Sequence, residues 1–158
     1  MTALEIVVGK RLRAAGLTIA TAESCTGGLI AARLTEIAGS SDYVVGGVVS
    51  YTNAIKQRVL GVDAATLRDH TAVSEPVAQQ MAAGARKLLQ SDIALSVTGY
   101  AGPGGTPDQP VGLTFIGLST AANHWVRRFV WDGDRAENRR QSVDAALQFV
   151  LDYLDGIL

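Results

Sequence analysis

Apolar positions recur at helical spacing near the start of the chain, where Leu4, Val7, Val8, Leu12 and Ala15 fall on one stripe that stops at Gly16. Such a stripe predicts an amphipathic helix over residues 3–15, closed by a residue that takes positive φ without strain. Residues 17–21 read as a short buried strand. After TAESCTGG at 21–28 the helical period returns with Ile30, Leu34 and Ile37 and runs to Gly39. Residues 43–51 are rich in β-branched side chains and predict a strand, in which Gly46 and Gly47 mark a bulge or a close backbone approach. A short helix through Lys56 follows.

In the second half, Ser74 is placed to cap a helix, Pro76 suits its first turn, and Val77, Met81, Ala85 and Leu88 form its stripe to about Leu89. Residues 93–98 predict the next strand. Beyond a long loop, 113–119 and 125–131 predict a hairpin around Ala121, Ala122 and Asn123. Asp134 with Glu137 three positions on resembles a capping box, and Val143, Ala146, Leu147, Val150, Leu151 and Leu154 predict a long closing helix. Trp125, Phe129 and Trp131 share one strand face, which suits packing beneath a helix or against a second subunit. Helices interleaved with about five strands, the last two a hairpin, predict one α/β domain over 1–158 with a mixed sheet.

Composition narrows the partners. With 158 residues, 47% of them apolar, the chain suffices for one substantial core. Its 14 basic and 15 acidic residues leave a net charge of -1 without like-sign blocks, which argues against nucleic acid or an anionic membrane as partner. No apolar run is long enough for a transmembrane helix. A single cysteine, Cys25, excludes an internal disulfide, and the first residues lack the layout of a secretory signal, so the cytoplasm is the expected compartment.

The segment 99–112, GYAGPGGTPDQPVG, holds five of the 17 glycines and three of the four prolines directly after a predicted strand. Glycines there let backbone N–H groups approach a phosphate or ribose, and strand ends are where open α/β sheets bind ligands. A proline-stiffened surface connection fits the same composition. Neither the P-loop nor the dinucleotide fingerprint is present. Arg135, Arg139 and Arg140 open the last helix, where guanidinium groups meet either a phosphate or solvent.

Ser24, Tyr51 and Lys56 supply a nucleophile and two proton handlers. A serine hydroxyl attacks a carbonyl when a base takes its proton, and a lysine serves when burial lowers its pKa. A tyrosine relays the proton, and backbone N–H groups after the serine hold the oxyanion. Each residue also has an ordinary role, as cap, packing residue or solvated cation. Cys25 with Glu23 and Lys56 forms a competing cysteine-glutamate-lysine set, and Cys25 is equally a small buried hydrophobe. His70 and His124, the only histidines, read as surface or loop residues and predict no zinc site.

TAESCTGG, SYTNAIK, AVSEPVA, TGYAGPGG, PVG and GDR stand in the order found in the C-terminal domain family of CinA, which the sequence resembles over nearly its whole length. The resemblance implies a three-layer α/β/α domain with a mixed sheet of about five strands. Stand-alone PncC-type members hydrolyse the carboxamide of nicotinamide mononucleotide to nicotinic acid mononucleotide and ammonia, and the chain is similar to these. It is not expected to carry the nucleotide pyrophosphatase activity associated with the extra N-terminal domain of longer members. By resemblance Ser24, Tyr51 and Lys56 are catalytic, and Thr98 and Arg135 lie on the substrate side, with Arg139 and Arg140 close by. The nucleotide would rest on Gly99, Gly102, Gly104 and Gly105, with no metal or organic cofactor, in a homo-oligomer expected to be a dimer. A non-catalytic nucleotide-binding or competence-associated module, or an amidase for another carboxamide, is the alternative.

Overall fold

The computed structural model describes residues 3–158. Its sheet has the order β2-β1-β3-β4-β5, with β1 (Ile19–Glu23) parallel to β2 (Val44–Val49) and β3 (Ile93–Gly99), and β4 (Leu113–Ser119) and β5 (His124–Val130) added antiparallel. The mixed five-stranded sheet is the one the patterning predicts. Helices α1 (Leu4–Ala15), α2 (Leu29–Thr35) and α6 (Arg135–Leu154) cover one face, and α3 (Asn53–Leu60), α4 (Ala64–His70) and α5 (Glu75–Leu89) the other.

Side-chain size divides the two faces. Ile19, Ile93, Leu95, Val97, Ile116 and Leu118 point toward α1, α2 and α6 and build the larger core. Ala20, Ala22 and Ala94 point toward α5, which sits so close that Ser96 Oγ donates to Ala78 O at 2.6 Å. A Cβ on Gly117 would lie 2.7 Å from that carbonyl. Strands covered on both faces are buried along their length rather than in alternation, as in β3.

Gly16 (φ 66°) ends α1 with the expected left-handed cap. Val45 is the extra residue of a bulge against β1, because Ile19 pairs with Val44 and Ala20 with Gly46. A Cβ on Gly47 would collide with Thr21 Oγ1, so the bulge and the close approach are both present. Asp134 accepts from Glu137 N at 2.9 Å and caps α6. Trp125 packs near Tyr153 of α6, and Trp131 Nε1 donates to Ser142 Oγ of that helix, so this aromatic face is covered within the chain.

Some expectations are corrected. β1 starts at Ile19 because Thr18 and Asp92 tie the preceding residues together through side-chain hydrogen bonds. α2 ends at Thr35, and Gly39 (φ 82°) instead opens a 3-10 turn, Ser40–Asp42. Ser74 occupies the cap position of α5, yet its hydroxyl donates to Thr71 O. Ala15 and Leu88 point outward. α4 carries no readable period, since Leu67 is its one buried apolar residue. No helix among the described residues is long and apolar enough to cross a membrane.

Candidate active site

The carboxyl ends of the parallel strands β1, β2 and β3 meet where the chain leaves β1 toward one face and β2 toward the other, the crevice in which α/β sheets place ligands. Ser24 directly follows β1. Its N–H donates to Val97 O at 3.0 Å, and its carbonyl accepts from Gly27 N at 3.0 Å. Gly27 (φ 61°) and Gly28 (φ 101°) complete the turn in the left-handed region.

Glu23 fixes this turn from beneath. Its carboxylate is 1% exposed and accepts from Gly28 N, Ile30 N and Ala31 N at 3.2, 2.9 and 3.0 Å. These are orphan donors at the start of α2, where a negative charge is favoured. Arg139 grips the turn from above, donating from Nε to Cys25 O and from Nη2 to Thr26 O. Its guanidinium is therefore structural, and Arg140 faces Glu137 and Asp144 on the exposed side of α6. Of the three arginines, Arg135 alone lines the cavity beside Ser24.

Lys56 reaches Ser24 from α3, whose first turn is capped by Thr52 Oγ1 accepting from Ile55 N at 3.3 Å. The lysine is 1% exposed, with Nζ 3.0 Å from Ser24 Oγ, 2.7 Å from Ser50 O and 3.5 Å from Tyr51 O. Burial lowers its pKa below the ordinary lysine value, opposed only by the nearby Cys25. Nζ donates to two carbonyls and to the serine hydroxyl, and once it gives up a proton its lone pair faces Ser24 Oγ as a base.

Tyr51 is placed differently from the expected proton relay beside the lysine. Its main-chain carbonyl faces Lys56, while its phenol oxygen accepts from Arg135 Nη2 at 3.1 Å. Arg135 Nη1 donates to Gly102 O at 2.7 Å, so the guanidinium joins the tyrosine to the glycine loop. The cysteine alternative fares worse. Cys25 is 7% exposed, burial pushes its thiol up to about 11, and the Glu23 carboxylate is committed to α2.

The cavity beside Ser24 has a volume of about 260 Å³. Thr98, Gly99, Gly102 and Gly104 line it as expected, with Arg135 and Tyr51 at its edge. The Thr98 hydroxyl donates to Ala72 O at 2.8 Å and thereby tethers the opposite wall. Gly105 is a correction. It lines a neighbouring cleft with Tyr100 and Gln109. Asn53, Ala72 and Val73 line the Ser24 cavity without having been anticipated. Asn53 lies inside YTNAIK, which could have flagged it, whereas Ala72 and Val73 carry no local signal.

Residues 1–154 match the sequence model of the CinA C-terminal domain. A CinA-like protein of Salinibacter ruber is 52% identical over 146 residues, covering 92% of this chain and 35% of that protein. The chain spans about a third of the length of the curated relatives it matches. The solved competence/damage inducible protein CihA of Agrobacterium tumefaciens superposes with a TM-score of 0.90 at 41% identity, covering 98% of both chains. The competence damage-inducible protein A of Klebsiella pneumoniae does so with 0.93 at 37%, covering 96% of this chain and 95% of its own.

Proposed function

The chain belongs to the CinA C-terminal domain family, and from that membership and the geometry of its site we infer that it is a serine amidohydrolase for the carboxamide of nicotinamide mononucleotide. The observation that carries the reading is the buried Lys56 Nζ 3.0 Å from Ser24 Oγ at the floor of a cavity edged by a glycine loop and an arginine.

Ser24 Oγ attacks the carboxamide carbon and its proton passes to Lys56 Nζ. The turn holds the developing oxyanion. Of its N–H groups, those of Gly27, Gly28 and Leu29 already donate to Ser24 O, Glu23 and Thr26 O, which leaves the N–H of Cys25, a residue that lines the cavity, as the donor. Collapse breaks the C–N bond, and ammonia departs with a proton that Lys56 returns. Tyr51 assists, because its oxygen accepts from Arg135 and its own O–H remains to donate into the cavity. Water, deprotonated by Lys56, then attacks the acyl-serine and releases nicotinic acid mononucleotide. Arg135 and the N–H groups of the glycine loop hold the phosphate and ribose, which positions the amide.

Metal-stripped protein should release ammonia and nicotinic acid mononucleotide in equal amounts from the mononucleotide, and far less from nicotinamide. Binding without ammonia release would instead leave a nucleotide-binding module. Arg135→Ala should raise KM for the mononucleotide by about tenfold to a hundredfold, the range for a lost charge-assisted hydrogen bond. It should change KM for nicotinamide riboside, which lacks the phosphate, much less. An equal loss on both substrates would take Arg135 off the phosphate. Cys25→Ala should keep turnover, and the native thiol should resist alkylation near pH 8 because it is buried and protonated. Loss of turnover in a folded Cys25→Ala protein would transfer the nucleophile to the cysteine.

A further inference from the structure

We propose that Gln109 is a positioning residue that clamps the glycine loop across the mouth of the cavity and so sets affinity for the nucleotide half of the substrate. The proposal rests on the amidase reading for the identity of the ligand. Gln109 does not line the Ser24 cavity. It lines the neighbouring cleft with Pro103 and Gly105, and cleft and cavity share Tyr100, Pro103 and Gly104.

Its side chain joins two walls that the sheet does not connect. Oε1 accepts from the Tyr100 hydroxyl, whose residue belongs to the loop wall. Nε2 donates to Thr71 Oγ1 at 2.8 Å and to Val73 O at 3.4 Å, on the segment that leads into α5. Its main chain closes a tight turn with Thr106, donating to Thr106 O at 3.1 Å and accepting from Thr106 N at 2.9 Å. The turn is so close-packed at Gly105 that a Cβ there would lie 2.8 Å from Val111 N.

Thr71 N to Leu67 O, Ser74 Oγ to Thr71 O and Thr98 Oγ1 to Ala72 O hold this wall to the body of the domain, and Gln109 adds its link to Tyr100 of the loop. Thr71 sits at φ 66°, a conformation that a β-branched residue adopts only under constraint. The next residue, Ala72, supplies the carbonyl that anchors the Thr98 hydroxyl, and Ala72 and Val73 face the cavity. One amide therefore couples the strained segment, the Thr98 anchor and the Tyr100–Gly104 wall from outside the Ser24 cavity. An amide suits this task because it accepts from a phenol and donates to a hydroxyl and a carbonyl at once.

Without the clamp the loop samples open positions, and apparent affinity falls in proportion to the competent fraction. Gln109→Ala should weaken binding of nicotinamide mononucleotide to the Ser24→Ala protein about tenfold by calorimetry, as expected if the competent fraction drops to about a tenth. In the active protein KM should rise by a similar factor with kcat within about twofold, since Ser24 and Lys56 are untouched. Gln109→Glu, which keeps an acceptor for Tyr100 and Thr71 but loses the donor to Val73 O, should fall between. Thr71→Val should weaken binding less than Gln109→Ala, and the double variant no more than Gln109→Ala alone, because both remove one linkage.

Unchanged affinity in a folded Gln109→Ala protein, additive losses in the double variant, or a fall confined to kcat would overturn the clamp. Mononucleotide that binds the wild-type chain without ammonia release would sink the amidase reading and leave the clamp to be decided by the dissociation constants. Mononucleotide that does not bind at all would overturn both.

Discussion

Replacing Ser24 with alanine is expected to abolish ammonia release from nicotinamide mononucleotide, lowering kcat by about 10⁴-fold or more, as when a nucleophile acting in concert with its base is removed. The loss should be confined to chemistry. Ser24 is only 8% exposed, but its backbone, not its hydroxyl, holds the turn, through Val97 O and Gly27 N. Glu23 and Arg139 secure the same turn independently. Lys56 retains Ser50 O and Tyr51 O as acceptors when the hydroxyl is gone, so no buried group is stranded. The variant should therefore unfold at nearly the wild-type temperature and bind the mononucleotide with a similar dissociation constant. The check is ammonia and nicotinic acid mononucleotide from matched amounts of both proteins. Residual turnover within tenfold of wild type would mean that a water activated by Lys56, rather than an acyl-serine, carries the hydrolysis.

Much of this site is legible because its chemistry is local in sequence. Ser24 follows a strand and precedes a glycine pair, and Lys56 lies one turn inside a helix whose cap, Thr52, is visible in YTNAIK. The apolar stripes of α1, α5 and α6 report their buried faces because each residue repeats a relation within its own helix. What is hidden depends on partners that only the sheet brings together. Glu23 beside Cys25 invites a reading as part of a nucleophile set, yet its donors belong to the next helix, and capping explains its burial. Arg139 looks like any charged residue on α6 until the turn after β1 is folded against it. Tyr51 reads as a partner of Lys56 from spacing, whereas its phenol finds Arg135 from the far end of the chain. Gln109 lies among loop residues that carry no period at all, and its meaning comes from Thr71 and Tyr100 on opposite walls. Periodicity records which face of an element is covered, and it carries no information about which distant element covers it.

Lys56→Met is expected to lower kcat about 10²- to 10⁴-fold, the range for loss of a positioned general base, and to remove a pH dependence from both activity and stability. Methionine matches the length of the buried stem and cannot take a proton. In the wild-type protein burial holds the Lys56 pKa below the ordinary value of 10.5, so the amine becomes a competent base earlier in a rising pH series than an exposed lysine would. kcat/KM should climb through that lowered pKa and level off above it. Stability follows the same group. Between the folded pKa and 10.5 the unfolded chain holds a proton that the folded chain has released, so stability rises with pH across that window. Below the folded pKa both states are protonated, and the burial penalty is present in full and constant. The methionine variant should lack this rise, so its unfolding temperature relative to wild type should be most favourable at neutral pH and lose that advantage toward pH 10. Lys56→Arg should not restore activity, since a guanidinium keeps its proton throughout the range. A wild-type rate that is flat from pH 6 to 10, or an arginine variant that turns over, would place the base on another residue and leave Lys56 as a fixed charge beside Ser24.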